Sequence, residues 1–496
     1  MNKVRAQKSS VLVLVLIFTI INLFAQSREE VLKNKLEPFI KKTMQELDIP
    51  GFALGIVKDG KIIYLKGFGV QSLKTSQKVT PRTQFLMASI SKTFTATAVM
   101  QLVEKGVLKL EEKVVKYLPY FKLKDKTYKE ISLRQLLSHT SGMPDVYKRN
   151  YGWETPEFDN GARERYIRTK LVDQKMEFNP GEKFSYNNMG YVILAEVVAE
   201  VSGTTYEDYV KKNILLPLGM KNSTFLPQEV NKSHLAWPHE LGADFKSSPG
   251  IFYPTNRWSA GAGGLMASCE DMCKWVSANL KGGILNGQRV LKKTSLDLMW
   301  KKGEGKSGNV GLCWKMGNYL KKKLIYHSGG TMGFAAEIDL IPEESLAVVV
   351  MCNSYNDVWS IAANAMKIML GVEPRAFSLP LENQLINQLH KGGVDAAVRL
   401  YRKLRKETPA KEFSSRTLLM LGSRIMNYCT HRNRLDIAGR LLQLAVEYFP
   451  KDAYTYDFLA EAYLRKAIIN YNKSVKLDPA NWGATKILKA LSAVDK

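Results

Sequence analysis

Phe85-Leu86-Met87-Ala88-Ser89-Ile90-Ser91-Lys92-Thr93-Phe94 contains the only S-x-x-K of the chain, at the point where an apolar run, 85–88, passes into a helical pattern continued by Ala98 and Leu102. Three positions along a helix return a side chain to the same face, so the Lys92 amine can stand beside Ser89 Oγ and take its proton. The helix N-terminus also favours an oxyanion forming there. Alone, the motif equally fits a helix-start serine beside a solvated lysine, and two later elements decide between these readings.

Tyr186-Asn187-Asn188 follows the turn Asn179-Pro180-Gly181 and precedes an apolar helix expected over 191–201, offering a phenol and an amide two residues apart. His327-Ser328-Gly329-Gly330 lies between strand-like runs at 324–326 and 334–340. Glycine there lets backbone N–H groups approach a substrate closely. Singly, Tyr186 reads as a half-buried aromatic and His327 as a strand-end histidine. In this order along one chain they read as a catalytic set.

With the phrases Leu136-Leu137-Ser138-His139-Thr140-Ser141-Gly142-Met143-Pro144, Ala262-Gly263-Gly264-Leu265 followed by Asp271, and Gly333-Phe334 leading to Asn353, the chain resembles the serine β-lactamase and penicillin-binding-protein superfamily. The likeness is to its branch of class C β-lactamases, D-Ala-D-Ala peptidases and esterases, and it covers residues 36–370. It implies an α/β (α+β) β-lactamase-like fold, an antiparallel sheet flanked by helices plus an α-helical lobe. It also implies Ser89 as the acylated nucleophile, Lys92 as its base or electrostatic partner, and Tyr186 as proton relay. Asn188 would orient the substrate amide, and the backbone N–H groups of Ser89 and Gly330 would form an oxyanion hole, each donor worth about 3 kcal/mol of barrier. His327, Ser328 and Gly329 would line the opposite wall.

One departure bears on the substrate. Where β-lactamases usually carry Lys-Thr-Gly, this chain has His327-Ser328-Gly329, and an unperturbed histidine is mostly neutral at pH 7. Within the resembling family such variants occur among D-Ala-D-Ala peptidases, D-amino-acid peptidases and esterases, which moves the reading away from a dedicated β-lactamase. Acid that charges His327 is then expected to improve turnover of anionic substrates. His139 is read as shaping the site wall rather than as a base. Cys269 and Cys273 lack the C-x-x-C spacing and partner pair of a zinc site and read as packing residues. There is no H-E-x-x-H, phosphate loop or G-x-S-x-G, and no metal or nucleotide cofactor is implied.

Lys3, Arg5 and Lys8 precede an apolar run over 11–21, the pattern of a secretory signal peptide at 1–25, with an uncleaved anchor as the alternative. The protein is therefore expected to be periplasmic or extracellular. Five cysteines cannot all pair and suggest no disulfide framework. A formal charge of +25 raises nucleic acid as a partner, but export and the dispersal of the basic residues argue against it. Weak contact with an anionic membrane surface fits better. The 496-residue chain, 45% hydrophobic, can bury one large domain and a smaller one.

A helix over 28–47 is expected before a hairpin of strands 52–57 and 61–68 turning at Asp59-Gly60, and further strands are expected at 311–316, 323–327, 335–341 and 347–352. The hydrolase domain is placed at 27–372 and a linker at 373–384. The segment 385–496 resembles tetratricopeptide repeats, which recur every ~34 residues, with Pro409, Pro450 and Pro479 as terminators. Its last unit lacks a turn, so one helix is expected over 453–477. The reading is an exported serine hydrolase acting on D-amino-acid peptides of the cell wall or on small esters and amides. A class C-type β-lactamase is one alternative and a non-catalytic scaffold using its helical repeats another. A protein partner or self-association is assigned to the C-terminal helices.

Overall fold

The hairpin at Asp59-Gly60 sets the architecture. Both turn residues take positive φ, +53° and +70°, the two-residue geometry whose twist matches antiparallel strands. It joins β1 (Gly51–Lys58) to β2 (Lys61–Gly69) at one edge of a six-stranded antiparallel sheet. The other strands come from far along the chain: β3 (Lys315–Tyr319), β4 (Lys322–Thr331), β5 (Phe334–Ile341) and β6 (Leu346–Cys352), in the order β3-β4-β5-β6-β1-β2. The computed structural model describes residues 30–145, 158–251, 253–303, 308–356 and 358–494; the export segment read at 1–25 lies outside them.

Strand β3 is a correction to the expected 311–316. Residues 311–314 form a buried bend instead, because Cys313 holds φ +80°, outside the extended region that a residue with a Cβ takes in a strand.

Helices cover the sheet. Alternation along β5 sends Phe334, Ala336, Ile338 and Leu340 into the main core. Helix α1 (Ser91–Glu104), helix α2 (Met189–Ser202) and helix α3 (Cys269–Leu280) supply most of its helical packing. Gly55 lets α3 press on β1, since a Cβ there would stand 2.2 Å from Cys273 Sγ. Cys269 and Cys273 are thus packing residues, and the five cysteines are free and buried.

The opposite face of β5 carries Glu337 and Asp339, both buried, beneath α4 (Trp359–Met369). Burial pushes the Asp339 carboxyl up to about 7, with Glu337 as its side-chain partner. A carboxyl whose folded pKa lies above its unfolded value stabilises the fold in acid and loses that contribution as pH rises through about 7. Asp339→Asn is therefore expected to gain on the order of 2 kcal/mol over wild type at pH 8.5 and little at pH 5, read from urea unfolding.

A second compact unit comprises 378–496 together with 240–249, a segment that the sequence reading assigned to the hydrolase domain. Its helices are α5 (Leu381–Glu407), broken at Gly392-Gly393, α6 (Ser415–Tyr428), α7 (Arg434–Tyr448), α8 (Ala453–Leu477) and α9 (Trp482–Val494). Helix α8 runs unbroken for 25 residues, as the missing turn implied. Leu459 packs against the unit's core, whereas Tyr463 is 53% exposed. No described helix is long and apolar enough to cross a membrane.

Candidate active site

Ser89 sits in a tight turn, Ala88–Ile90, between a short strand, Gln84–Leu86, and helix α1. Ala88 holds φ +44°, a conformation costly for a residue with a Cβ, and Met87 N–H is tied to Leu265 O at 2.8 Å. The turn is thereby fixed with Ser89 at the mouth of the helix.

Lys92 is fully buried and donates to three acceptors: Ser89 Oγ at 3.0 Å, Asn188 Oδ1 at 2.8 Å and Ala262 O at 2.7 Å. Burial lowers its pKa to about 7; Asp145 and Cys313 act against that shift and Lys315 with it. A neutral amine has two hydrogens and one lone pair. With Asn188 Oδ1 and Ala262 O taking the hydrogens, the lone pair is left for the Ser89 hydroxyl. That is the arrangement a general base requires.

Tyr186 hydrogen-bonds with Ser89, and burial holds its phenol well above the ordinary range. It therefore rests protonated, fit to relay a proton rather than to abstract one. Its ring lies 5.1 Å from Lys92 Nζ and packs against His139, centroids 4.3 Å apart and planes tilted by 30°. His139 is buried, its pKa driven well down by burial, and its Nδ1 accepts the Asn187 N–H at 3.1 Å. This fits the wall role expected for it. Asn188 begins α2, its side chain already engaged by Lys92 and by Asp145 Oδ2 at 2.9 Å.

Strand β4 carries His327, Ser328, Gly329 and Gly330. Strand β3 begins only at Lys315, opposite Tyr326, so 327–331 are paired only with β5 and their other edge meets the turn of Ser89. Gly329 permits that approach, since a Cβ would stand 2.2 Å from Met87 O. The structure thus brings all eight residues named from sequence to one place.

Three groups escaped the sequence reading. The Ala262 carbonyl is a backbone atom without a sequence signal, although its segment was noted. Asp145 directly follows the quoted phrase ending at Pro144. Lys315 reaches the site only through the register of β3 on β4, with Nζ 5.7 Å from the Tyr186 ring and 6.0 Å from that of Tyr326.

The surroundings of His327 argue against the expected acid activation. Burial first, then Lys315 and Lys92, drive the imidazole down to about 3, so it stays neutral throughout the working range. Fixed positive charge comes from the neighbouring strand instead.

A serine hydrogen-bonded to a buried lysine and flanked by a tyrosine, beside a sheet edge, has the groups that forming an acyl-enzyme at that serine requires. The chain belongs to the β-lactamase family, whose model matches residues 36–373. It is 29% identical over 323 residues to Protein flp of Staphylococcus aureus (strain MW2), covering 65% of this chain and 63% of that relative. Among solved structures it resembles the octameric penicillin-binding protein homologue from Pyrococcus abyssi, with TM-score 0.60 and 31% identity over 71% of this chain and 81% of the other. It also resembles a class C β-lactamase in fold, with TM-score 0.58 and 22% identity over 71% and 98% of the two chains. The family match and the Pyrococcus homologue establish membership of the serine β-lactamase and penicillin-binding-protein superfamily, whose members act through a serine acyl-enzyme.

Proposed function

We propose that the protein is an exported serine hydrolase that forms an acyl-enzyme at Ser89 and acts on D-amino-acid peptides bearing a free carboxylate. In this reading Lys92 removes the Ser89 proton and Tyr186 passes it to the leaving amine. The N–H groups of Ser89 and Gly330 hold the oxyanion, and Asn188 positions the acyl amide. Export rests on the basic-then-apolar opening of the chain.

Lys315 carries the choice among substrates. Neutral His327 offers no charge to a carboxylate, whereas the Lys315 ammonium stands over Tyr186, and its charge is felt at His327, His139 and Lys92. A charge-assisted contact is worth about 1.5–3 kcal/mol, so Lys315→Met is expected to lower kcat/KM at least tenfold for a peptide ending in D-Ala-D-Ala. Its C-terminal amide and a short neutral ester should be affected little. Equal losses on acid and amide would remove Lys315 from recognition and return neutral esters to first place.

A further inference from the structure

We propose that Asp145 is a positioning residue for acylation: its carboxylate fixes the Asn188 side chain with the amide oxygen toward Lys92, and it presents a negative charge to the buried amine. This rests on Lys92 being the base of Ser89.

The lock is geometric. Asn188 donates twice to one carboxylate, through its backbone N–H to Asp145 Oδ1 at 3.3 Å and through Nδ2 to Oδ2 at 2.9 Å. An ionised carboxylate only accepts, so the amide NH2 must face Asp145 and the oxygen must face Lys92. Turning the amide over would set oxygen against carboxylate and NH2 against the amine. The second of these matters for chemistry. An NH2 group in place of Oδ1 would claim the amine's lone pair, the same lone pair that Ser89 needs, whereas Oδ1 occupies one of its hydrogens and leaves the pair directed at Ser89.

The charge acts in the same sense. Lys92 is enclosed by Tyr186 and Tyr191, with rings 5.1 and 5.6 Å away. His139 and His327 feel its charge, and Cys313, just before β3, and Lys315, the first residue of β3, stand near it. Of these, the histidines rest neutral, the Cys313 thiol is pushed up to about 12 by burial, and Lys315 repels the protonated amine. Asp145 is the carboxylate that opposes burial and holds the amine's titration near neutrality. Tyr166 also faces Asp145 and is raised in part by it, so it rests as a neutral phenol.

The test is the pH profile of kcat/KM for Asp145→Asn, measured on a neutral ester so that substrate charge is constant. Wild type should rise through an acid limb near 7, the titration of Lys92. Asp145→Asn should move that limb about one unit lower, since an opposite charge nearby is removed. It should also lower the plateau, because Asn188 loses its lock. Asp145→Glu, which keeps the charge, should leave the limb within a few tenths of wild type. If the Asn variant does not fold, Asp145→Ser keeps a short acceptor without charge and carries the same expectation. A limb that stays in place or moves upward in a folded variant overturns the proposal, even where the rate falls. Labelling by an acylating probe that persists in Ser89→Ala instead overturns the acyl-enzyme reading, so the two failures are distinguishable.

Discussion

A mechanism-based acylating probe is expected to label Ser89 alone, and Ser89→Ala to abolish both labelling and turnover. Ser89 is the hydroxyl placed 3.0 Å from Lys92 Nζ and hydrogen-bonded with Tyr186. General-base assistance contributes about 10²–10⁴-fold, so Lys92→Ala should slow acylation by about 10³-fold. Tyr186→Phe should slow it strongly as well. The double variant should be little worse than either single one, because base and relay act on one proton. Peptide mapping and single-turnover kinetics give the answer. An adduct on another serine, or losses that multiply in the double variant, would contradict a shared proton path. Lys92→Ala leaves Asn188 Oδ1 and Ala262 O without their buried donor, so near-UV circular dichroism must show a native signal before the rate is read.

The chemistry-bearing residues were legible because each belongs to a short motif whose spacing does physical work. S-x-x-K puts two side chains on one turn, and Y-x-N stands at a helix start. His-Ser-Gly-Gly stands on a strand whose glycines allow backbone approach. The hairpin at Asp59-Gly60 was legible for the same reason, since local turn chemistry determines register.

The tuning groups were not legible. Lys315 is 12 residues before His327 in sequence and reaches the site only because β3 and β4 pair in one register, a long-range fact. Asp145 lies 43 residues from Asn188, and its effect depends on which way an amide faces. The pKa of His327 follows from burial, which the word His-Ser-Gly does not announce. The expected strand at 311–316 failed because apolar periodicity cannot register a left-handed residue such as Cys313. Residues 240–249 read in sequence as an ordinary loop between hydrolase segments, while their apolar side chains lie in the core of the helical unit, a long-range fact that local sequence does not carry.

That last departure has the largest consequence for stability. Cutting the chain near Pro374 would, on sequence grounds, leave an intact hydrolase. The structure predicts otherwise. Leu241 and Phe245 lie in one core with Leu385, Leu389, Tyr401 and Leu418, and Phe245 also stacks on His431 at 5.3 Å. Glu240, almost fully buried, meets Arg424 Nε at 3.0 Å, and Glu382 approaches the same guanidinium at 3.5 Å. Removing one partner of a buried ion pair costs about 3–5 kcal/mol, because the other charge is left desolvated and alone. Arg424→Ala should therefore melt the helical unit well below wild type. Arg424→Ala with Glu240→Ala should recover part of the loss, since no orphan charge remains. Truncation at Pro374 strips the same residues of their cover and is expected to yield an aggregating hydrolase. Replacing 241–248 by a short glycine turn should rescue it, because Gly250 N–H already bonds Pro238 O at 2.8 Å and the ends of the segment stand close together. Soluble yield and small-substrate kcat/KM of the truncated chain, with and without that replacement, decide the matter. Full solubility and activity of the plain truncation would show that 240–249 needs no helical partner, and the sequence-based boundary would stand.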